Sequence, residues 1–241
     1  MSKSSFLSLG LPALILAAGF VLSGFFIKDG LTSFRTDDRV VKVKGLAERE
    51  VEADLAIWTL STVSTGNVLS DVQAVSNTSR KAIAMYLDSV GFTQDEFGFA
   101  PLSVQDLLAQ AYRPDNVEKG RYIATQRVTI RSTDIDKIDR GASGLDSLLK
   151  QGITLSNMQA PNYVFTKLNE IKPEMLAEAV QNARKSAQEF AQESGADVGG
   201  IKRASQGLFQ ILPRDPVSFA SERNQRFKRV RVVSTVDFFI E

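Results

Sequence analysis

The chain has 241 residues, 43% of them hydrophobic and 24% charged, a balance that suits a packed globular fold and argues against long disorder. Its formal net charge of +1 supplies no global field for nucleic acid or an anionic surface, so such a role would need a local patch. Cysteine and histidine are both absent, which excludes disulfides, thiolate nucleophiles, iron–sulfur ligation, Ser-His-Asp catalysis and the HExxH metalloproteases. A hydrolase built on this chain would need a Ser-Lys pair, carboxylates or an oxygen-liganded metal.

The first element is apolar. Residues 4–27 carry no charge, and Phe6–Ile27 as a helix would span roughly 33 Å at 1.5 Å per residue, close to the ~30 Å hydrocarbon core of a bilayer. A cleaved signal peptide, a signal anchor and a buried globular helix compete for this segment. The run is longer than a signal-peptide core and ends in Gly24-Phe25-Phe26-Ile27 instead of a small-x-small cleavage site. It also lacks the polar stripe of a surface helix. The anchor is therefore the preferred reading, with Pro12 bending it and the small bias of Lys3 favouring a cytoplasmic N-terminus. This gives a signal anchor over 1–28, a polar tether over 29–38 and one folded domain over 39–241.

In that domain Arg39–Lys44 reads as a short strand and Gly45-Leu46-Ala47 as a turn. Glu50–Thr65 reads as a long strand, with Val51, Ala53, Leu55, Ile57 and Val63 opposite Glu50, Glu52, Asp54 and Trp58. A helix follows over 68–90, with Leu69, Val72, Val75, Ile83, Tyr86, Leu87 and Val90 on one side and Gly91 as its cap. Residues 97–112 fit either strand or helix, 113–116 is turn chemistry, and Arg121–Arg131 is a strand. A second helix is predicted over Asp134–Lys150 and an extended stretch over 154–168. The third helix starts at Pro173 and buries Leu176, Val180, Ala183, Ala187, Phe190 and Ala191, ending at Gly195. Val198–Leu212 returns to strand, a polar loop follows, and Lys228–Ile240 alternates Val230, Val232, Val236, Phe238 and Ile240 with Arg229, Arg231, Thr235 and Asp237. Hairpins and helices both occur. The fold class is α+β, a largely antiparallel sheet packed by about three helices and preceded by one transmembrane helix.

Two motifs carry a family likeness. Val41–Trp58 (VKVKGLAEREVEADLAIW) follows a V-x-V-x-G … V-x-x-D-x-A pattern, and Ala177–Gly195 is an alanine-rich A-x-x-x-A-R helix with lysine at 185 and Ser186 before Ala187. In this order the chain resembles the SIMPL-domain family of bacterial envelope proteins over roughly 39–241. The resemblance implies a periplasmic or surface location, an α+β fold and ring-like oligomers, with a link to envelope stress. It implies no activity and no catalytic residues, and residues 101–118 depart from the family pattern.

Three groups of side chains suggest chemistry. Ser147 and Lys150 have S-x-x-K spacing, but the S-D-N and K-T-G partners are missing and a solvent-facing helix end explains them as well. Asp134, Asp136 and Asp139 could hold a cation, yet carboxylates also gather at a helix start because its dipole favours them. Arg223, Arg226, Lys228, Arg229 and Arg231 form the densest basic run, with Glu48, Glu50, Glu52 and Asp54 as complementary acids in an oligomer. Trp58, the only tryptophan, suits a subunit contact on the charged face, or burial under a second layer. The expectation is a non-enzymatic, self-assembling protein with a binding or scaffolding role and no cofactor. Its partners would be further copies of itself and the inner membrane through residues 6–27, with no nucleic acid. The alternatives are a small-molecule-binding module and a Ser/Lys or carboxylate enzyme of the envelope.

Overall fold

The computed structural model describes residues 19, 23–24, 39–110, 120–156, 159–215 and 221–241. Apart from positions 19, 23 and 24, the predicted anchor lies outside the described residues, as do the whole tether and the turn at 113–116. No helix among the described residues is long and apolar enough to cross a membrane. The described chain forms two compact units.

The first unit joins, of the described residues, those up to Ala47 with Glu174–Phe209 and Val232–Glu241. Its sheet has the order β1 (Val40–Glu52), β10 (Phe227–Ile240), β8 (Val198–Gln206), with β8 antiparallel to β10. One face is covered by α4 (Leu168–Ser194), which buries Met175, Ala179, Ala183, Ala187 and Ala191. A step of four residues keeps these side chains on one stripe of a helix. Against them lie Val43 of β1 and Val236 and Phe238 of β10. Alanine has no side chain beyond Cβ, so the helix axis can sit close to the sheet. Gly45 completes the fit, since a Cβ there would lie 1.8 Å from the Ala179 carbonyl oxygen. The predicted turn at 45–47 is thus corrected: the strand runs straight through, and the glycine marks close approach.

The second unit comprises Glu48–Pro173 and Gln210–Arg231. Its main sheet is antiparallel around β2 (Leu55–Gly66) and β5 (Tyr122–Ser132), paired from Ala56 with Ser132 to Gly66 with Tyr122. Strands β3 (Phe97–Phe99) and β4 (Ser103–Asp106) flank β5, while β6 (Leu155–Ser156) and β7 (Asn162–Val164) flank β2. Helices α1 (Leu69–Val90), α2 (Ile135–Ser143) and α3 (Asp146–Lys150) supply Ala82, Ile83, Leu87, Ile135, Ile138 and Leu148 to a core with Trp58, Leu60, Val128 and Ile130. The short strand β9 (Gln210–Pro213) pairs with Lys228–Arg231.

Several predicted elements shift. The long strand over Glu50–Thr65 is two strands separated at Ala53-Asp54, and the break reverses which side chains point inward. Trp58 is consequently 1% exposed and belongs to the core, which corrects its placement on the charged face. The helix over Asp134–Lys150 breaks around Gly144 into α2 and α3. A Cβ at Gly144 would meet the Tyr86 hydroxyl at 2.7 Å, so chain and aromatic ring meet closely there. Helix α4 begins at Leu168, not at Pro173; near a helix start, the missing proline N–H leaves only one exposed carbonyl without its helical donor. In α1 the buried stripe uses Ser76 and Ser79, while Val75 is 55% exposed. Phe190, expected inside, is 64% exposed.

Glu96 ties β5 to α2. Its carboxylate accepts bonds from Lys137 Nζ at 2.7 Å, Thr93 N at 2.9 Å and the Ser132 hydroxyl. Burial alone would raise the Glu96 pKa, but the bonds from Lys137, Ser132 and Thr93 outweigh it and bring it down to about 2 from 4.5. The folded state therefore gains stability above pH 4.5 and loses it as the pH falls towards 2. With a side chain still 21% exposed, solvent screening reduces the effect to roughly 1–2 kcal/mol. Urea titrations should find Glu96→Gln less stable than the parent by that amount at pH 7, with the gap nearly closed at pH 2. A gap independent of pH would refute this assignment.

Candidate functional site

The residues that carry most of the polar chemistry lie in the second unit, around the break between β1 and β2. The Ala53 N–H donates to the carbonyl of Arg226 at 2.8 Å, and the Asp54 N–H to that of Val164 at 3.1 Å. The Asp54 carboxylate accepts from the N–H and hydroxyl of Thr166 at 2.8 and 3.0 Å. Asp54 is thereby a structural clamp on the bend.

Arg226 stands at the centre of the charged residues. Its Nε and Nη2 both reach Glu52 Oε1 at 2.6 Å, and Nη1 reaches Asp136 at 2.6 Å and Asp139 at 3.2 Å. The bonds to Asp136 and then Glu52 hold the Arg226 guanidinium above its usual pKa. Tyr163 donates its hydroxyl to the other oxygen of Asp139. Burial first, then this bond and the Asp139 charge, raise the phenol well above its ordinary value. One planar guanidinium thus binds carboxylates from β1 and α2 at once, which the forked arginine head is suited to do. Asp134, the remaining acid of the predicted cluster, caps α2 by accepting from Lys137 N at 2.9 Å. Asp134 thus caps a helix while Asp136 and Asp139 share Arg226 Nη1, and no metal-holding group of acidic residues occurs among the described residues.

The other predicted surface residues divide in the same way. Glu48 pairs with Arg231 at 3.6 Å, and Arg229 donates to the Arg214 carbonyl at 3.0 Å. Exposed Glu50 adds its negative charge to the environment of Arg214. The expected acid–base complementarity is met within one chain at Glu48–Arg231 and Glu52–Arg226. Lys228 is corrected: it is 0% exposed, in phase with Val230 on the inner side of β10, and its ammonium binds the Glu222 carboxylate and, at 2.6 Å, the Glu222 carbonyl. Counting charges along the sequence hides this, because alternation puts Lys228 inside. Ser147 spends its hydroxyl proton on the Gly144 carbonyl at 2.9 Å, on an exposed helix end.

A cavity of about 390 Å³ lies beside this cluster, lined by Asn162, Tyr163, Val164, Phe165, Ile211, Glu222 and Arg223. Sequence reasoning missed it except for Arg223. Its walls come from three distant segments, and no local pattern marks their convergence.

No curated protein sequence matches the chain. Among solved structures it is similar to a hydrolase from Listeria innocua, at 13% identity over 81% of this chain and 92% of that one, with a TM-score of 0.22. It is also similar to an uncharacterized conserved protein from Listeria innocua, at 12% identity over the same shares, with a TM-score of 0.20. Superpositions this loose carry no argument. The SIMPL family, described as a protein of unknown function (DUF541), matches residues 41–236, from β1 to β10, and the chain belongs to that family.

Proposed function

We propose that this SIMPL-family protein is a non-enzymatic, self-assembling component of the bacterial envelope, held at the inner membrane by residues 6–27 with its folded part in the periplasm, where it binds or scaffolds. The length and apolar character of residues 6–27 support the tether. The role as binder or scaffold is supported by the structural duties of Ser147, Asp134, Asp136 and Asp139, the residues most suggestive of catalysis.

The observation that carries self-assembly is β8. Among the described residues it is the last strand of its sheet, with β10 as its one strand neighbour, and every residue from Gly200 to Gln206 is exposed. Ile201 is 45% exposed on this edge, and Leu208, in the connection to β9, is 88% exposed. An open strand edge with apolar side chains presents unpaired backbone groups to another chain. Because the charges at 48–54 and 223–231 are largely matched internally, the edge is the better contact than the charged face.

Light scattering on the full chain in nanodiscs should give several copies per assembly. Ile201→Lys combined with Leu208→Lys should reduce this to one copy while leaving the melting temperature within a few degrees. A parent protein that is monomeric at every ionic strength would sink the reading.

A further inference from the structure

The cavity beside Tyr163 has more definition than its size suggests. At about 390 Å³ it lies near the lower end of the roughly 300–1,000 Å³ typical of small-molecule sites. Four of its lining side chains, Tyr163, Val164, Phe165 and Ile211, offer ring or aliphatic surface. The polar groups differ in availability. The Tyr163 hydroxyl is committed to Asp139, and the Glu222 carboxylate is neutralised by the buried Lys228 beneath it. Arg223 differs from both. It is exposed, it lines the cavity, and it has no carboxylate, carbonyl or ring partner among the described residues. Its neighbour Arg226 is bound to three carboxylates.

The charge available to a ligand is therefore positive, and it stands at the edge of apolar walls. Asn162 adds an amide that can donate or accept. A neutral apolar molecule would leave the guanidinium unused, and a bare inorganic anion would leave the walls wet. A cation would meet Arg223 with the Glu222 charge already spent. We propose that this cavity binds a small organic carboxylate with an apolar body, the carboxylate on Arg223 and the body against Phe165, Val164 and Ile211. This is a binding activity separate from self-assembly, and it rests on no feature of β8.

The test uses the full chain in nanodiscs, with empty nanodiscs as blank and 3-phenylpropionate as probe. Calorimetry should show saturable binding, with a Kd in the range of roughly 10 µM to 1 mM for so small a ligand. The uncharged amide of the same acid should bind about tenfold more weakly, because it forfeits the charge-assisted bond. Arg223→Gln, an exposed change, should leave the melting temperature unmoved and abolish the preference for the acid. Phe165→Leu should weaken acid and amide alike. Absence of saturable binding, or a preference for the acid that survives Arg223→Gln, overturns the proposal.

Discussion

Adding a single methyl group at Gly45 is expected to cost more than about 3 kcal/mol of stability, or to prevent folding altogether. The ideal Cβ would stand 1.8 Å from the Ala179 carbonyl oxygen, 2.9 Å from the Ala179 carbonyl carbon and 2.5 Å from the Ala183 nitrogen. All three are backbone atoms of α4, so no rotamer change can make room. The helix itself would have to lift away from the sheet, and the lift would open the contacts of Ala183 and Ala187 with Val43, Val236 and Phe238. Gly98→Ala and Gly200→Ala are the controls, since a Cβ at either position meets nothing within 4 Å. Urea unfolding of the three variants decides the matter. A Gly45→Ala loss below about 1 kcal/mol would mean that α4 does not sit this close.

Trp58→Ala should cost about 3–5 kcal/mol, the range for emptying a buried aromatic site. The ring is 1% exposed and shares its cluster with Leu60, Ile83, Phe92 and Ile138. A Cβ on Gly141 would lie 3.3 Å from the Trp58 ring and 3.1 Å from that of Phe92, so α2 presses on both rings. Trp58→Phe keeps most of the apolar contact and should lose clearly less. As the only tryptophan in the chain, Trp58 reports on itself. Its emission should be blue-shifted and shielded from iodide in the folded state, and both properties should vanish on unfolding. Native emission as quenchable as that of the unfolded chain would return Trp58 to the surface.

These two positions also show what the sequence could and could not convey. The last strand was legible because its alternation runs without interruption from Val230 to Phe238, and the structure buries Val230, Val232, Val236 and Phe238. The α1 cap at Gly91 was legible for a similar reason, as a glycine after a helical period, and its φ is 98°. Trp58 was misplaced because the pattern was extended through Asp54. At that residue a side-chain clamp to Thr166, formed across a long stretch of chain, shifts the phase by one. Gly45 was read as a turn because glycine signals turns and close packing alike, and only the partner helix distinguishes them. The site shows the same limit. Sequence shows which residues are charged, but which arginine binds which acid depends on a fold that brings Glu52, Asp136, Asp139 and Arg226 together.

The position of β10 has a consequence for how the chain reaches its native state. In the first unit this strand lies between β1 and β8, and the Ile240 N–H donates to the carbonyl of Arg39 at 3.0 Å. The earliest strand of the sheet therefore waits for the latest before it has a neighbour. Contacts so distant along the chain close slowly, because the entropy of a long loop is lost before any pairing repays it. During synthesis, β1 is without its strand partner until residues 232–240 arrive. In refolding experiments, amide protection in β1 should accordingly appear together with that of β10, and later than protection in the locally built pair of β2 and α1.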